Sequence, residues 1–314
     1  MPDYISLSNV FIDDILFWDD RMLLNVLGGA GVHAMAGARV WTNSLGLLAS
    51  IGEDFQQEHL NYLKDLEIDT SMLKVLQKKT TRAWQIFQPD ERRVEVFRDE
   101  NNKVVQFDLT LFDLPEDYKR VKGCHLHFSG SYEEALKNIR LLRKINPSIK
   151  IIMEPSIYQV HWSRERFVEM LPEVDVFSPN LLEGEQITKE KDPKRIIEVL
   201  LAWGAQLVSL RMGSEGSMLG SKMRSSYQKI PAIKQNIVDV TGAGNAYLGG
   251  LLFGLCEGHS LTDSALMGAV SASFAMEQFG VCRFKADLIN ERDRRLKDGR
   301  MLLELETKGD LTKP

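Results

Sequence analysis

Residues 239–250 read DVTGAGNAYLGG, and this stretch decides what kind of fold the chain adopts. Two glycines, Gly242 and Gly244, bracket a small residue directly before a long apolar run. Such a pattern predicts a tight turn that opens a helix whose first backbone N–H groups have no partner within the helix. A helix start of this kind is suited to bind an anion such as a phosphate. The simpler alternative is a helix start whose glycines only allow close packing.

The stretch differs from two common phosphate-binding motifs. It is not a P-loop, because no Lys-Ser or Lys-Thr pair follows the glycines. It is not a dinucleotide-binding fingerprint, because the third glycine would fall at Tyr247. The predicted anion site therefore belongs to another class.

The composition is that of an ordinary globular protein, with 44% hydrophobic and 26% charged residues. A net charge of −5 gives no electrostatic case for binding nucleic acid or an anionic membrane. The three cysteines, Cys124, Cys256 and Cys282, form no CxxC or Cys/His pair, which favours a reducing compartment. No stretch resembles a signal peptide or a transmembrane helix. We therefore expect a cytoplasmic protein, with the nucleus as the open alternative.

Strands and helices alternate along most of the chain. The pattern predicts strands at 5–10, 45–51, 125–128, 150–153, 174–178 and 206–210, and helices in the last third at 243–256, 261–279 and about 290–305. This alternation predicts a mostly parallel sheet with helices on both faces. Residues 71–107 instead alternate polar and apolar side chains, with a turn near Pro89-Asp90, as half-exposed antiparallel strands do. We expect one domain over residues 1–314, with a small β lid contributed by about 16–28 and 71–107.

The stretch DVTGAGN at 239–245 resembles the late signature D-[TV]-T-G-A-G-D of the ribokinase/PfkB family of sugar and nucleoside kinases, with one change. Other motifs follow in the family's order: Gly28-Gly29, IGEDF at 51–55, HFSG at 127–130, Glu154-Pro155, PNLLEGE at 179–185 and RMGSEG at 211–216. The resemblance implies a three-layer α/β sandwich with a β lid. It also implies ATP-dependent phosphoryl transfer to a hydroxyl of a sugar-like or nucleoside-like substrate. A looser resemblance is to divergent fungal members of the maintenance-of-killer type.

The resemblance implies roles on the acceptor side of the site. The amides of the 242–245 turn would stabilise the charge of the transferred group, through Gly242, Ala243, Gly244 and Asn245. The acceptor would lie against Asp13, Gly28, Gly29 and His33. The plain alternatives are a solvated turn at Asp13-Asp14 and a histidine at 33 that its helix neighbours satisfy.

The resemblance also implies ATP, Mg²⁺ and K⁺ as cofactors. Asn180 and Glu183 would order the water shell of Mg²⁺, although their spacing is equally that of a helix capping box. The nucleotide would lie against a second group of residues: Arg211, Gly213, Gly216 and Thr241. K⁺ would lie where many relatives bind a monovalent cation, near Asp239, Thr241 and the carbonyls of about 273–280.

Three positions depart from the family pattern on the acceptor side. Asn245 replaces the aspartate that removes the proton of the attacking hydroxyl, and Ala30 and His33 replace two asparagines. An amide has no proton affinity near neutral pH, and a general base is worth about 10²–10⁴-fold in rate. Because phosphoryl transfer depends mainly on positioning and electrostatics, we expect slow or altered transfer.

Several alternatives stay open. Asp13, Asp14 or Asp239 are candidates for a substitute base. If none of them takes that role, the chain is an inactive nucleotide-binding scaffold or regulatory partner. His125 and His127 share a strand face, which suggests a metal site, but packing is favoured because no third ligand is in sight. We expect a small-molecule substrate, and either a monomer or a homodimer formed through the lid.

Overall fold

The computed structural model describes residues 1–88, 93–98, 107–109, 114–156, 159–284 and 286–310. In chain order the strands are β1 (Tyr4–Leu7), β2 (Phe11–Phe17), β3 (Met22–Gly28), β4 (Leu45–Gly52), β5 (Ile68–Asp69), β6 (Leu73–Gln77), β7 (Arg82–Phe87), β8 (Arg93–Phe97), β9 (Gly123–His127), β10 (Lys150–Glu154), β11 (Val176–Phe177), β12 (Leu207–Arg211), β13 (Ser217–Ser221) and β14 (Arg224–Ile230). The α-helices are α1 (Ala30–Arg39), α2 (Gln57–Asp65), α3 (Tyr132–Ile145), α4 (Arg164–Met170), α5 (Leu181–Thr188), α6 (Pro193–Ala202), α7 (Ala243–Cys256), α8 (Leu261–Ala275) and α9 (Leu288–Asp310).

A mostly parallel sheet forms the centre of the molecule. Its strand order in the described residues is β14-β13-β12-β11-β10-β9-β1-β4-β5, with β6 also paired to β4. Strand β1 is completely buried and lies between β4 and β9, with Tyr4 opposite Leu45 and Gly123. Among the described strands of this sheet, only β13 and β14, at one edge, run antiparallel to a neighbour. The sequence-based expectation of a parallel sheet is confirmed.

Helices cover both faces of this sheet, which confirms the three-layer arrangement. One core contains Val32, Leu248 and Val270 from α1, α7 and α8. The opposite core contains side chains of α3, α4 and α6, including Ile139, Phe167 and Ile196. Each core is continuous because the buried strands are apolar on both sides.

Close contact between α1 and α7 sets the position of the 242–245 turn. A Cβ atom on Gly37 would lie 2.1 Å from the Ala246 carbonyl oxygen, and one on Gly249 would lie 1.9 Å from that of Ala34. Side chains at either glycine would force the two helices apart. The start of α7 is therefore held against the start of α1.

A four-stranded lid, ordered β3-β2-β7-β8, forms a second sheet. It is antiparallel except that β2 and β7 run parallel. The expected lid boundaries were partly wrong, since the lid begins at Phe11 and residues 73–77 pair with the main sheet. The turn at Pro89-Asp90 and residues 99–106 lie outside the described residues.

Asp13 and Asp14 lie within strand β2, whereas the sequence pattern suggested a strand at 5–10 that ends in a turn there. The two acids interrupt the apolar run but can share one strand because successive side chains point to opposite faces. Asp13 accepts a hydrogen bond from Gln85, while Asp14 pairs with Arg98.

In the part of the chain described here, no helix has both the length and the apolar character needed to cross a bilayer.

Candidate active site

A cavity of about 780 Å³ lies beneath the lid at the carboxyl ends of the parallel strands. This is the usual ligand-binding edge of an α/β sheet, and the volume is within the range of small-molecule sites. The cavity brings together most of the predicted site residues: Asp13, Gly29, His33, Asn180, Glu183, Arg211, Gly213, Gly216, Thr241, Gly242, Ala243, Gly244 and Asn245.

The turn before α7 is held between two charged or polar side chains. Gly242 caps the helix with φ of 74°, and a Cβ atom there would lie 2.1 Å from Nδ1 of His33. A Cβ atom on Gly244 would lie 2.5 Å from Nη1 of Arg211. Gly242 is favoured both by its left-handed backbone and by the close approach of the His33 ring, whereas a side chain at Gly244 would require the end of the Arg211 side chain to shift.

The first amides of α7 are not all available to an anion, contrary to expectation. The Ala243 N–H donates to the Val240 carbonyl at 3.2 Å, because residues 240–243 close a turn. This corrects the assignment of Ala243 to the anion hole. The amides of Gly244 and Asn245 follow in the first turn of the helix, at its positive end.

Glu154, at the end of β10, is the most heavily paired side chain of the cavity wall. Its Oε1 atom accepts a hydrogen bond from Nδ2 of Asn245 at 2.5 Å and lies 2.9 Å from Nε2 of His125. Its Oε2 atom lies 3.0 Å from Nη1 of Arg211. Burial opposes ionisation, but Arg211 and His125 outweigh it and hold the pKa of Glu154 well below its usual range. Glu154 is therefore a carboxylate in the folded protein.

Asn180 and Glu183 form the capping box of α5. The Glu183 N–H donates to Oδ1 of Asn180 at 2.9 Å, and the Asn180 N–H donates to Oε2 of Glu183 at 2.7 Å. Arg211 also reaches Glu183 Oε2 at 3.4 Å. Burial raises the pKa of Glu183 despite the opposing Arg211 charge. Glu183 still lines the cavity although its carboxyl group takes part in the capping box.

The lid supplies a polar and aromatic end to the cavity. Nε2 of Gln85 donates to Oδ1 of Asp13 at 3.1 Å and to Oε1 of Glu95 at 2.8 Å. Phe11 and Phe97 make an edge-to-face contact with centroids 5.4 Å apart. Carboxylates beside aromatic faces suit a ligand that carries hydroxyl groups on a ring.

The opposite end of the cavity places apolar side chains beside a glycine turn. Gly213 and Gly216 line it with Ile233, Ala272 and Met276. Gly216 has φ of 81°, and a Cβ atom there would lie 2.0 Å from the Ile230 carbonyl oxygen. An apolar slot beside a glycine turn suits a flat heteroaromatic ring.

Some predicted residues do not line the cavity. Gly28 lies behind Asp13, because a Cβ atom on it would be 2.1 Å from Asp13 Oδ2. Asp239 is 2% exposed, and its Oδ1 atom accepts the Thr241 N–H at 2.8 Å. Asp14 faces Arg98 and the Asn25 N–H. Of the three candidate substitute bases, only Asp13 lines the cavity.

His125 is a buried packing residue, as favoured from the sequence. It is completely buried, with Nδ1 2.9 Å from Ser6 Oγ and Nε2 at Glu154. Among the described residues, no three His, Cys, Asp or Glu side chains are grouped to hold a metal ion. His127, Gln85 and Glu95 line the cavity and were not predicted as site residues. The HFSG motif contained His127, but nothing in the local pattern assigned it a partner.

The comparisons with known proteins agree with this arrangement. The profile of pfkB family carbohydrate kinases matches residues 22–287. A cytidine kinase of Thermococcus kodakarensis is 27% identical over 284 residues, or 89% of this chain and 98% of that protein. A ribokinase of Lactococcus lactis is 28% identical over 257 residues, or 81% of each. The solved structure of Arabidopsis thaliana ribokinase complexed with ribose and ATP has a TM-score of 0.71 and 16% identity, and the match covers 94% of this chain and 98% of that one. With a profile match over most of its length, the chain belongs to the pfkB family of carbohydrate kinases.

Proposed function

We propose that the chain transfers the γ-phosphoryl group of ATP to a hydroxyl of a sugar-like or nucleoside-like small molecule. The observation that carries this proposal is one continuous cavity that runs from the lid, past the start of α7, to the glycine turn at 213–216. An acceptor under the lid and a nucleotide at the far end would meet at the Gly244 and Asn245 amides. In-line transfer requires the attacking and leaving oxygens on opposite sides of the phosphorus.

The start of α7 is suited to the charge of the transferred group. The Gly244 and Asn245 amides lie at the positive end of a 14-residue helix. The Arg211 guanidinium occupies the space beside Gly244, because a Cβ atom on this glycine would lie 2.5 Å from Nη1 of Arg211. Nε of Arg211 is buried and has no hydrogen-bond partner among the described residues. Preorganised donors of this kind are the main source of catalysis in phosphoryl transfer.

The lid end is suited to an uncharged, hydroxyl-bearing acceptor. Asp13 and Glu95 are acceptors for hydroxyl groups, and Phe11 and Phe97 offer apolar faces to a ring. The lid residues that line the cavity, within the described part of the chain, carry no positive charge. This chemistry favours ribose or a nucleoside such as cytidine, in keeping with the names of the relatives, over an acidic sugar.

Two cations fit residues of this chain. Mg²⁺, held through water by Glu183 beside Asn180, would neutralise phosphate charge, since carboxylate and amide oxygens are its usual ligands. K⁺ fits Asp239, whose Oδ2 atom is buried without a hydrogen-bond partner among the described residues. A buried carboxylate oxygen of this kind requires a cation or a donor. Thr241 lies beside it.

A non-catalytic scaffold is the second candidate, and Asn245 is the observation that favours it. Its side-chain amide is committed to Glu154 and cannot accept a proton. In this case ATP would bind without transfer of its γ-phosphoryl group. The resemblance to the maintenance-of-killer type stays a prediction.

The lid is the proposed contact of a homodimer, with the monomer as the alternative. Trp18, Met22 and Leu24 of the lid are each at least 60% exposed. Large exposed apolar side chains that lie this close together in sequence favour burial against a partner. Light scattering at several concentrations tests the dimer.

A single domain over residues 1–314 and a cytoplasmic location remain predictions, the latter supported by three free cysteines.

Ligand-induced stabilisation followed by transfer assays tests the proposed function. ATP with Mg²⁺ should raise the unfolding temperature, because a ligand that binds only the folded state stabilises it. Nucleosides and sugars, including cytidine and D-ribose, are then assayed for ATP-dependent phosphorylation. Binding without transfer to any acceptor supports the scaffold, and absence of ATP binding contradicts both candidates.

A further inference from the structure

His127 is a titratable side chain of the cavity wall to which the proposed function gives no role. It ends β9 and lies opposite Glu154 of β10 in the parallel register. Its side chain is 19% exposed, whereas that of Glu154 is 3% exposed. His127 is therefore the more accessible of the two groups to a ligand in the cavity.

His127 and Asn245 approach the same carboxylate oxygen. Nδ1 of His127 lies 3.6 Å from Glu154 Oε1 and has no hydrogen-bond partner among the described residues. Nδ2 of Asn245 contacts that oxygen from the start of α7 at 2.5 Å. The imidazole thus lies beside the position at which the family signature carries its aspartate.

Burial favours the neutral form of the His127 ring, and the charges around it act in both directions. Burial lowers the pKa of His127, and Glu154 of β10 opposes this effect. His125 of β9 and Arg211 of β12 lower the pKa further, while Glu95 of β8 raises it. A neutral imidazole has a lone pair with which to accept a proton.

Glu154 is a poorer proton acceptor than His127. Its two oxygens already contact the polar side chains of Asn245, His125 and Arg211. A carboxylate with this many donors is stabilised in its ionised form. Facing Nδ1–H of His127, it would orient the ring and leave Nε2 to accept a proton, as a carboxylate does for a catalytic histidine.

We propose that His127 is the general base of the transfer reaction, in place of the aspartate that Asn245 replaces, and that Glu154 is its positioning residue. The proposal rests on the proposed function. The acceptor hydroxyl oxygen bonds to the γ-phosphorus while the bond from phosphorus to the β–γ bridging oxygen breaks, and ADP leaves with that electron pair. The hydroxyl proton passes to His127, which becomes an imidazolium beside Glu154 and later releases the proton to solvent.

The test uses the full chain with ATP, Mg²⁺ and either cytidine or D-ribose as acceptor. His127→Asn retains a donor near Glu154 but removes the proton acceptor. It should lower kcat by about 10²–10⁴-fold while the ATP Kd and the acceptor KM change by less than about threefold. In the wild type, kcat should fall as pH drops through the His127 pKa, and this acid limb should be absent in the variant. His259→Asn, at an exposed histidine, is the matched control and should keep the wild-type profile.

A carboxylate restored at position 245 provides the second measurement. In the His127→Asn background, Asn245→Asp should recover kcat by about tenfold or more near pH 8.5, where the new carboxyl group is ionised. Failure to recover, loss of ATP binding in His127→Asn, or an unchanged kcat or acid limb in that variant overturns the proposal. A wild type that binds ATP but phosphorylates neither probe nor any other acceptor overturns the proposed function, and this proposal with it.

Discussion

The side-chain amide of Asn245, in the first turn of α7, donates a 2.5 Å hydrogen bond to Oε1 of Glu154 at the end of β10. The family signature has an aspartate at position 245, where this chain has Asn245. The amide is compatible with the Glu154 carboxylate, whereas a second carboxyl group at this distance would have its pKa raised by the like charge. The substitution at 245 is therefore matched to its neighbour.

Asn245→Asp should consequently destabilise the protein in a pH-dependent way. The new carboxyl group faces Glu154, so the pKa of the pair rises above its unfolded value, and stability is lost as pH increases through that raised pKa. We expect a deficit of about 1–3 kcal/mol near pH 8 that shrinks near pH 5. Urea unfolding at both pH values measures it. Asn43→Asp, at an exposed asparagine, is the control, and an equal deficit in both variants would show that no carboxylate pair forms.

Gly242→Ala should impair both folding and nucleotide binding. The backbone φ of 74° costs an L-residue about 1–2 kcal/mol, and the new Cβ would also meet the His33 ring at 2.1 Å. Gly258→Ala separates the two effects, because Gly258 has φ of 78° and nothing within 4 Å of a Cβ atom. Thermal unfolding should show a clearly larger loss for Gly242→Ala, and calorimetry should show weaker ATP binding only in that variant. Equal losses of stability in the two variants would show that the His33 ring moves away from the new Cβ atom without destabilising the fold.

The alternation of strands and helices, and the glycine turn at 239–245, could be predicted because both depend on residues close in sequence. Strand β2 was missed because Asp13 and Asp14 break the apolar pattern, and their places in the strand follow from pairing with β3 and β7. The contact between Glu154 and Asn245 joins residues 91 positions apart. No local pattern specifies such a contact, since it depends on how β10 and α7 meet in the folded chain.

Arg211→Met should be strongly destabilising at neutral pH. Arg211 is 13% exposed and is paired with Glu154 at 3.0 Å, so its removal leaves a buried carboxylate without its main partner. Breaking a buried pair costs about 3–5 kcal/mol. Arg211 is the largest influence that lowers the pKa of Glu154. In the variant we expect burial to raise this pKa above its unfolded value, so that stability falls as pH rises through it.

The deficit of Arg211→Met should therefore be largest near pH 7 and smaller near pH 5, as measured by urea unfolding. In the wild type the sign is opposite, because the lowered pKa of Glu154 stabilises the fold above the ordinary carboxyl pKa. Arg140→Met removes two ion pairs from an exposed site and should have far less effect at either pH. A pH-independent deficit in Arg211→Met would show that Glu154 keeps its charge by other means.

Asp13→Asn should weaken acceptor binding selectively. Asp13 lines the lid end of the cavity and is held by Gln85 at 3.1 Å, whereas the nucleotide end lies beyond α7. Loss of a hydrogen bond to a charged group is worth about 1.5–3 kcal/mol, so the acceptor KM should rise by roughly tenfold to a hundredfold while the ATP Kd stays unchanged. Asp14→Asn, on the opposite face of the same strand and paired with Arg98, is the matched control. Steady-state kinetics with cytidine or D-ribose distinguish the two variants, and an equal KM increase in both would place the effect in lid stability instead of hydroxyl recognition.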